Sequence, residues 1–227
     1  MKQITISIFV FIALSNSLCS QTNKNELVKE AEEKLKNNKA TISQILTDKK
    51  YDAMHPETLF RNLIEKYSNT GTISMATDTI PGKKIKVFGT VKDSEGKPVA
   101  GALVYFYHTD SRGWYAADAP HVTQHEGDFR HARLFGYIKT DKDGKFEIHT
   151  IKAAGYPKSD LPAHIHVHVS ASGYRSFGTE FLFDDDERLV GTIRENSIRN
   201  DFMIAKPESI ETPFQQKFSY TIALTKQ

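Results

Sequence analysis

From Ala163 to Val169 the sequence alternates without a break: Ala-His-Ile-His-Val-His-Val. A period of two belongs to the extended strand, whose successive side chains point to opposite faces. His164, His166 and His168 therefore share one face, and Ile165, Val167 and Val169 share the other. The apolar face demands a core to cover it, which leaves the histidine face for solvent or a ligand. The same alternation recurs over Lys84–Lys92 and over Lys217–Thr225, where Phe218, Tyr220, Ile222 and Leu224 fall on one side. Ala102–Thr109 is apolar on both faces, as a central strand would be. Phe135–Thr140 and Lys145–Thr150 flank Asp141-Lys142-Asp143-Gly144, a hairpin signal, and Ser176–Phe183 follows. With turns such as Asp93-Ser94-Glu95-Gly96-Lys97-Pro98 between them, at least seven short strands predict a mainly β fold. The expected core is an antiparallel β-sandwich over residues 71–227.

The chain ahead of the sandwich has a different texture. A helical N-terminal segment is expected over residues 21–70. Asn23 with Glu26 has the spacing of a capping box, and Leu27, Ala31 and Leu35 recur at helical intervals. Glu30–Lys34 and Glu32–Lys36 are i,i+4 pairs in the favourable order. A second helix is predicted to open at Pro56 and to carry Leu59, Phe60, Leu63, Ile64 and Tyr67 on one face. These read as scaffold helices or as the contact of a homodimer. Before them, Lys2 precedes an apolar run, Ile4 to Leu14, and then the small polar stretch Ser15 to Ser20. That is the layout of a signal peptide over residues 1–20, too short to span a bilayer. The expected protein is exported, periplasmic or extracellular, after cleavage near Cys19–Gln21. A lipid anchor on Cys19 is the alternative, disfavoured by the bulky Leu18. Cys19 is the one cysteine, so the cleaved chain has no thiol to form a disulfide or bind a soft metal. A net charge of +2 without a Lys/Arg cluster argues against a nucleic-acid partner.

Two long segments interrupt the strands. Ser111–Arg133 holds Trp114, Tyr115, His121, His125 and His131, and Ala153–Leu161 holds Tyr156. Loops of this length on a sandwich are often functional. Imidazoles two residues apart on a strand are roughly 6.5–7 Å apart along it, so their tips can converge on one ion. The remaining ligands must be nitrogen or oxygen donors. A hard ferric ion suits phenolates from the two loops, whereas zinc would recruit a further histidine or a carboxylate such as Glu126, Asp128 or Glu180.

Five segments stand in an order that resembles the intradiol aromatic-ring-cleavage dioxygenases (catechol and protocatechuate dioxygenases). They are Gly89-Thr-Val-Lys-Asp-Ser-Glu-Gly-Lys-Pro-Val-Ala-Gly-Ala102, Gly113-Trp-Tyr115, Thr140-Asp-Lys-Asp-Gly144, Ala154-Gly-Tyr-Pro157 and Pro162-Ala-His-Ile-His166. The likeness covers about Ile85–Asp186, and its specific part is Gly-Tyr-Pro with His-x-His beginning eight residues after the Tyr. The resemblance implies a non-haem Fe(III) held by Tyr115, Tyr156, His164 and His166. It implies that Tyr156 leaves as a catechol-type diol binds, taking a substrate proton. It further implies that O₂ is inserted between the two hydroxyl-bearing carbons, giving a muconate-type diacid.

The chain departs from the family pattern twice. Leu161 stands where an arginine often precedes Pro-Ala-His, and Glu180 stands where a glutamine is common. Arg130, Arg133 and Lys158 are the candidates to supply the missing positive charge. His168 reads as a neighbour of the site or a surface residue, and Asp184-Asp185-Asp186-Glu187 as a solvated acidic loop. Two other functions fit parts of the sequence. The Gly89–Ala102 and Thr140–Gly144 turns resemble non-catalytic carboxypeptidase-regulatory-like and transthyretin-like binding modules. A zinc or copper site could instead join His164 and His166 to a ligand from residues 121–131.

Overall fold

The computed structural model describes residues 24–76, 79–115 and 132–227. The signal segment, Asn23, Arg130 and the histidines at 121, 125 and 131 lie outside them. Residues 24–36 form helix α1, which belongs to a compact unit ending at Thr41. Its Ala31 and Leu35 are buried, and Lys34 meets Glu30 at 2.9 Å on the polar side.

Residues 42–227 form the second unit. It opens with α2 (Ile42–Thr47), a 3₁₀ turn (Lys49–Met54) and α3 (Thr58–Lys66). The 3₁₀ turn is capped by Asp48, whose carboxylate accepts from the Lys50 N–H at 3.0 Å. Pro56 does not start α3. It lies in the turn that closes the 3₁₀ segment, where the Glu57 N–H donates to the Met54 carbonyl at 2.8 Å, and Glu57 is the extended N-cap. Phe60, Leu63 and Ile64 are buried as expected, but Leu59 is 55% exposed, one step off the buried stripe.

Among the described residues, ten strands then build two five-stranded sheets. The first has the order β1 (Thr72–Ser74), β5 (Lys145–Ile151), β2 (Lys84–Asp93), β10 (Gln216–Leu224), β9 (Glu208–Ser209). The second has the order β4 (Leu134–Lys139), β3 (Leu103–His108), β6 (His164–Ser170), β7 (Phe177–Phe183), β8 (Met203–Ala205), with α4 (Gly191–Arg199) between β7 and β8. The sheets are mixed rather than purely antiparallel, because β1 runs parallel to β5, β10 to β2 and β8 to β7. The predicted hairpin at Asp141–Gly144 is also absent. Its turn is well formed, with the Asp141 carboxylate accepting from the Asp143 and Lys145 N–H groups. Yet β4 and β5 lie in different sheets. A tight turn fixes a reversal of the chain, and the apolar faces decide which partner each strand finds.

Between the sheets, Phe181 stacks on Tyr220 at 4.0 Å and Phe183 meets Phe218 at 4.8 Å. The Tyr220 hydroxyl donates to the Leu182 carbonyl at 2.9 Å. Ile165, Val167 and Val169 of β6 are buried. That choice of face turns His164, His166 and His168 to the other side of the second sheet. Register then sets their neighbours: His166 lies between Tyr107 of β3 and Glu180 of β7, and His168 between Tyr105 and Gly178.

Candidate metal centre

The site is assembled by docking two loops onto the start of β6. After β3 the chain makes a turn organised by Asp110, whose Oδ1 accepts from the N–H groups of Arg112 (2.8 Å) and Trp114 (3.2 Å). Gly113 has φ +79°, and a Cβ there would lie 2.3 Å from the Gly155 carbonyl oxygen. Only glycine lets the Tyr115 loop and the Tyr156 loop approach so closely. The Ala154 N–H donates to the Asp110 carbonyl at 3.2 Å, and the Thr109 hydroxyl donates to the Ala154 carbonyl at 2.6 Å. Tyr115 is also tied to the start of β4, its carbonyl accepting from the Arg133 N–H at 2.8 Å.

This docking brings together the four residues singled out in the sequence. Tyr115 Oη lies 2.5 Å from Tyr156 Oη and 2.9 Å from His166 Nε2. Tyr156 Oη lies 3.0 Å from His164 Nε2 and 3.3 Å from His166 Nε2, and the two Nε2 atoms are 3.1 Å apart. Donor atoms about 2.0–2.1 Å from a shared ion sit roughly 2.8–3.4 Å from one another, close to the spacing found here.

The outer partners fix the tautomers. A carbonyl can only accept, so His164 Nδ1–H donates to Pro162 O at 2.8 Å and leaves Nε2 its lone pair. His166 Nδ1 faces the Glu180 carboxylate at 3.6 Å, beyond hydrogen-bond range but near enough for the negative charge to favour the Nδ1–H tautomer, which leaves the Nε2 lone pair inward. The Tyr107 ring stacks on His166 at 4.5 Å and holds its plane. Burial, then the neighbouring Tyr156 oxygen, push the Tyr115 phenol well above its ordinary range. Without a cation the Tyr115 phenol therefore keeps its proton. A cation taking the place of the phenol protons would satisfy two oxygens and two nitrogens at once, so the donor set fits a hard, highly charged ion.

Other expected residues sit elsewhere. Arg133 donates to Asp52 Oδ2 at 2.9 Å and shares with Tyr115 the lining of a cleft of about 360 Å³. Lys158 is exposed, with φ +61°. His168 is stacked with Tyr105 at 6.1 Å, one register step from the donors. Glu180 falls within the same 4.8 Å grouping as His164 and His166, but its approach to His166 is from the Nδ1 side. The acidic run is not simply solvated: Asp184 binds Arg194 at 2.6 Å, Asp185 binds Lys152 at 2.6 Å, and Asp186 accepts from two backbone N–H groups. Among the described residues no helix is long and apolar enough to cross a membrane.

A family described as Dioxygenase matches residues 59–226. The chain is 33% identical over 147 residues to catechol 1,2-dioxygenase 1 of Acinetobacter lwoffii, covering 58% of this chain and 43% of that protein. It is 29% identical over 135 residues to a chlorocatechol 1,2-dioxygenase of Rhodococcus opacus, covering 52% and 50% of the two chains. The crystal structure of catechol 1,2-dioxygenase from Pseudomonas arvilla C-1 superposes with a TM-score of 0.56 at 25% identity, over 70% of this chain and 57% of that one. With this fold and this donor cluster, the chain belongs to the intradiol ring-cleavage dioxygenase family. It spans about half the length, or less, of these curated relatives.

Proposed function

We propose that this protein is an exported Fe(III) dioxygenase that opens a catechol-type ring between its two hydroxylated carbons, consuming O₂. The convergence of Tyr115, Tyr156, His164 and His166 on one point carries the reading, since two phenols and two imidazoles are the donors a ferric ion favours. Bound there, the ion would supply Lewis acidity and a template on which the diol and O₂ meet.

The protein's own groups do the rest. Tyr156 Oη, beside His164 Nε2, takes a proton from a diol hydroxyl as the substrate binds. His164 and His166 stay fixed through Pro162 O, Glu180 and Tyr107, so the geometry changes at the tyrosine and not at the imidazoles. Tyr115, Tyr156 and His164 are each no more than 8% exposed, which keeps bulk water from the reacting atoms. The cleft that Tyr115 and Arg133 help to line is the approach this reading assigns to the diol. Export and pairing of two copies belong to the same proposal.

Oxygen uptake with catechol, protocatechuate and hydroxyquinol tests it. Wild type should consume O₂ in step with formation of a ring-opened diacid, and Tyr156→Phe should lose most of that rate. An iron-loaded wild type that leaves all three diols intact would refute the activity.

A further inference from the structure

The segment after β7 touches both halves of the donor set without contacting a donor atom. Asp186 Oδ2 accepts from the Ala163 N–H at 2.9 Å, immediately before His164, and Asp186 Oδ1 accepts from the Arg188 N–H at 2.8 Å. The Arg188 guanidinium then reaches back across the other loop. Its Nη1 donates to the carbonyl of Tyr156 itself at 3.1 Å and to that of Leu161 at 3.3 Å. The space it occupies is left by Gly155, where a Cβ would lie 2.2 Å from Nη1 and 2.8 Å from the Leu161 carbonyl oxygen. Asp186 thus holds the strand that bears His164, and Arg188 holds the loop that bears Tyr156. Their shared segment sets the separation of the two ligands.

We propose that Arg188, seated by Asp186, is a positioning residue: a latch that holds the Tyr156 loop against β6 and so governs how firmly Tyr156 occupies its donor position. This rests on the proposed ferric centre and on Tyr156 giving way to the diol. The backbone of Tyr156 is pinned at its carbonyl, so its departure is a rotation of the side chain while the loop stays in place. Loosening the latch weakens the diol-free centre, where Tyr156 is a ligand. It affects the diol-bound centre less, where Tyr156 has left. A purely structural residue would weaken both alike.

The test uses the full iron-loaded protein and reads iron affinity by chelator competition, together with the tyrosinate-to-iron visible band, with and without catechol. Wild type should show the band and shift it on adding catechol. Its failure to do so would refute the proposed centre rather than the latch. In Arg188→Ala the diol-free iron affinity should fall at least about tenfold, the loss expected for even one charge-assisted hydrogen bond, and the diol-bound affinity by much less. Arg188→Lys should recover part of the loss, since an ammonium can still donate to a carbonyl. Gly155→Ala, which displaces the guanidinium from the opposite side, should give the same selective signature and serves if Arg188→Ala does not fold. Equal losses with and without diol, or none, in the variants that fold would overturn the latch.

Discussion

Acid should destabilise this fold earlier than its carboxylates alone would, because two histidines are buried where taking up a proton is strongly disfavoured. His108 is 1% exposed, with Nδ1 at 2.7 Å from the Thr109 carbonyl and Nε2 at 2.8 Å from the Thr150 hydroxyl. His55 is 3% exposed, its Nδ1–H donating to the Arg133 carbonyl at 2.7 Å and its Nε2 buried with no hydrogen-bond partner among the described residues. Burial lowers each from 6.5 to about 4. Between those values the unfolded chain binds a proton that the folded one refuses. The stabilisation is therefore complete above pH 6.5 and is lost as pH falls toward 4. At pH 5 each histidine costs about 2 kcal/mol, so the pair removes about 4 kcal/mol from a stability that for such a domain is on the order of 5–15 kcal/mol. Urea unfolding at pH 7.5 and pH 5 measures the loss in wild type and in His108→Gln. Comparing the two proteins cancels the contribution of every titratable group they share. The variant should be less stable at pH 7.5 but lose about 2 kcal/mol less between the two pH values. An identical loss in both proteins would refute the argument that His108 is held neutral by burial.

Three further outcomes follow from individual contacts. Gly113→Ala must accommodate both a positive φ and a 2.3 Å approach to the Gly155 carbonyl oxygen, so it should part the two tyrosine loops. Metal analysis should show much less bound iron, with a stability loss of about 1–3 kcal/mol in thermal unfolding. Tyr107→Leu removes the stack that holds the His166 plane, worth about 0.5–1.5 kcal/mol, and should lower iron affinity several-fold in chelator competition while the far-UV spectrum is unchanged. Asp52→Asn removes the charge from the partly exposed pair with Arg133 and should cost no more than about 1 kcal/mol in urea unfolding, with a rise in KM for the diol because Arg133 lines the proposed approach to the site.

The strand pattern was plainly written in the sequence because burial of one sheet face forces alternation. Phe218, Tyr220, Ile222 and Leu224 are all buried, and the ends of the seven predicted strands fall within one residue of those observed. Pairing was not legible, since alternation says which face is apolar and nothing about which strand lies alongside. That is why β10 beside β2, running parallel, and the passage of the Asp141–Gly144 turn between sheets were missed. The strands β1, β8 and β9, of two or three residues, are too short to carry a period. At the site, the four donor residues were legible through a resemblance, as motifs from separate loops, and the structure brings them together. Their supports were not. Asp186 looks like any member of an acidic run, and Arg188 is distant from Tyr156 in the chain. A small signal lay in Gly113 and Gly155, two glycines flanking the tyrosines, whose missing Cβ atoms make room for the opposite loop and for the Arg188 guanidinium.

The metal content and visible spectrum of the protein as purified test the central claim most directly. A ferric ion bound by Tyr115 and Tyr156 gives a red-to-purple charge-transfer band, near-stoichiometric iron, and bleaching when either tyrosine is replaced by phenylalanine. Colourless protein that holds zinc, or that takes up no iron when it is supplied, would contradict the account.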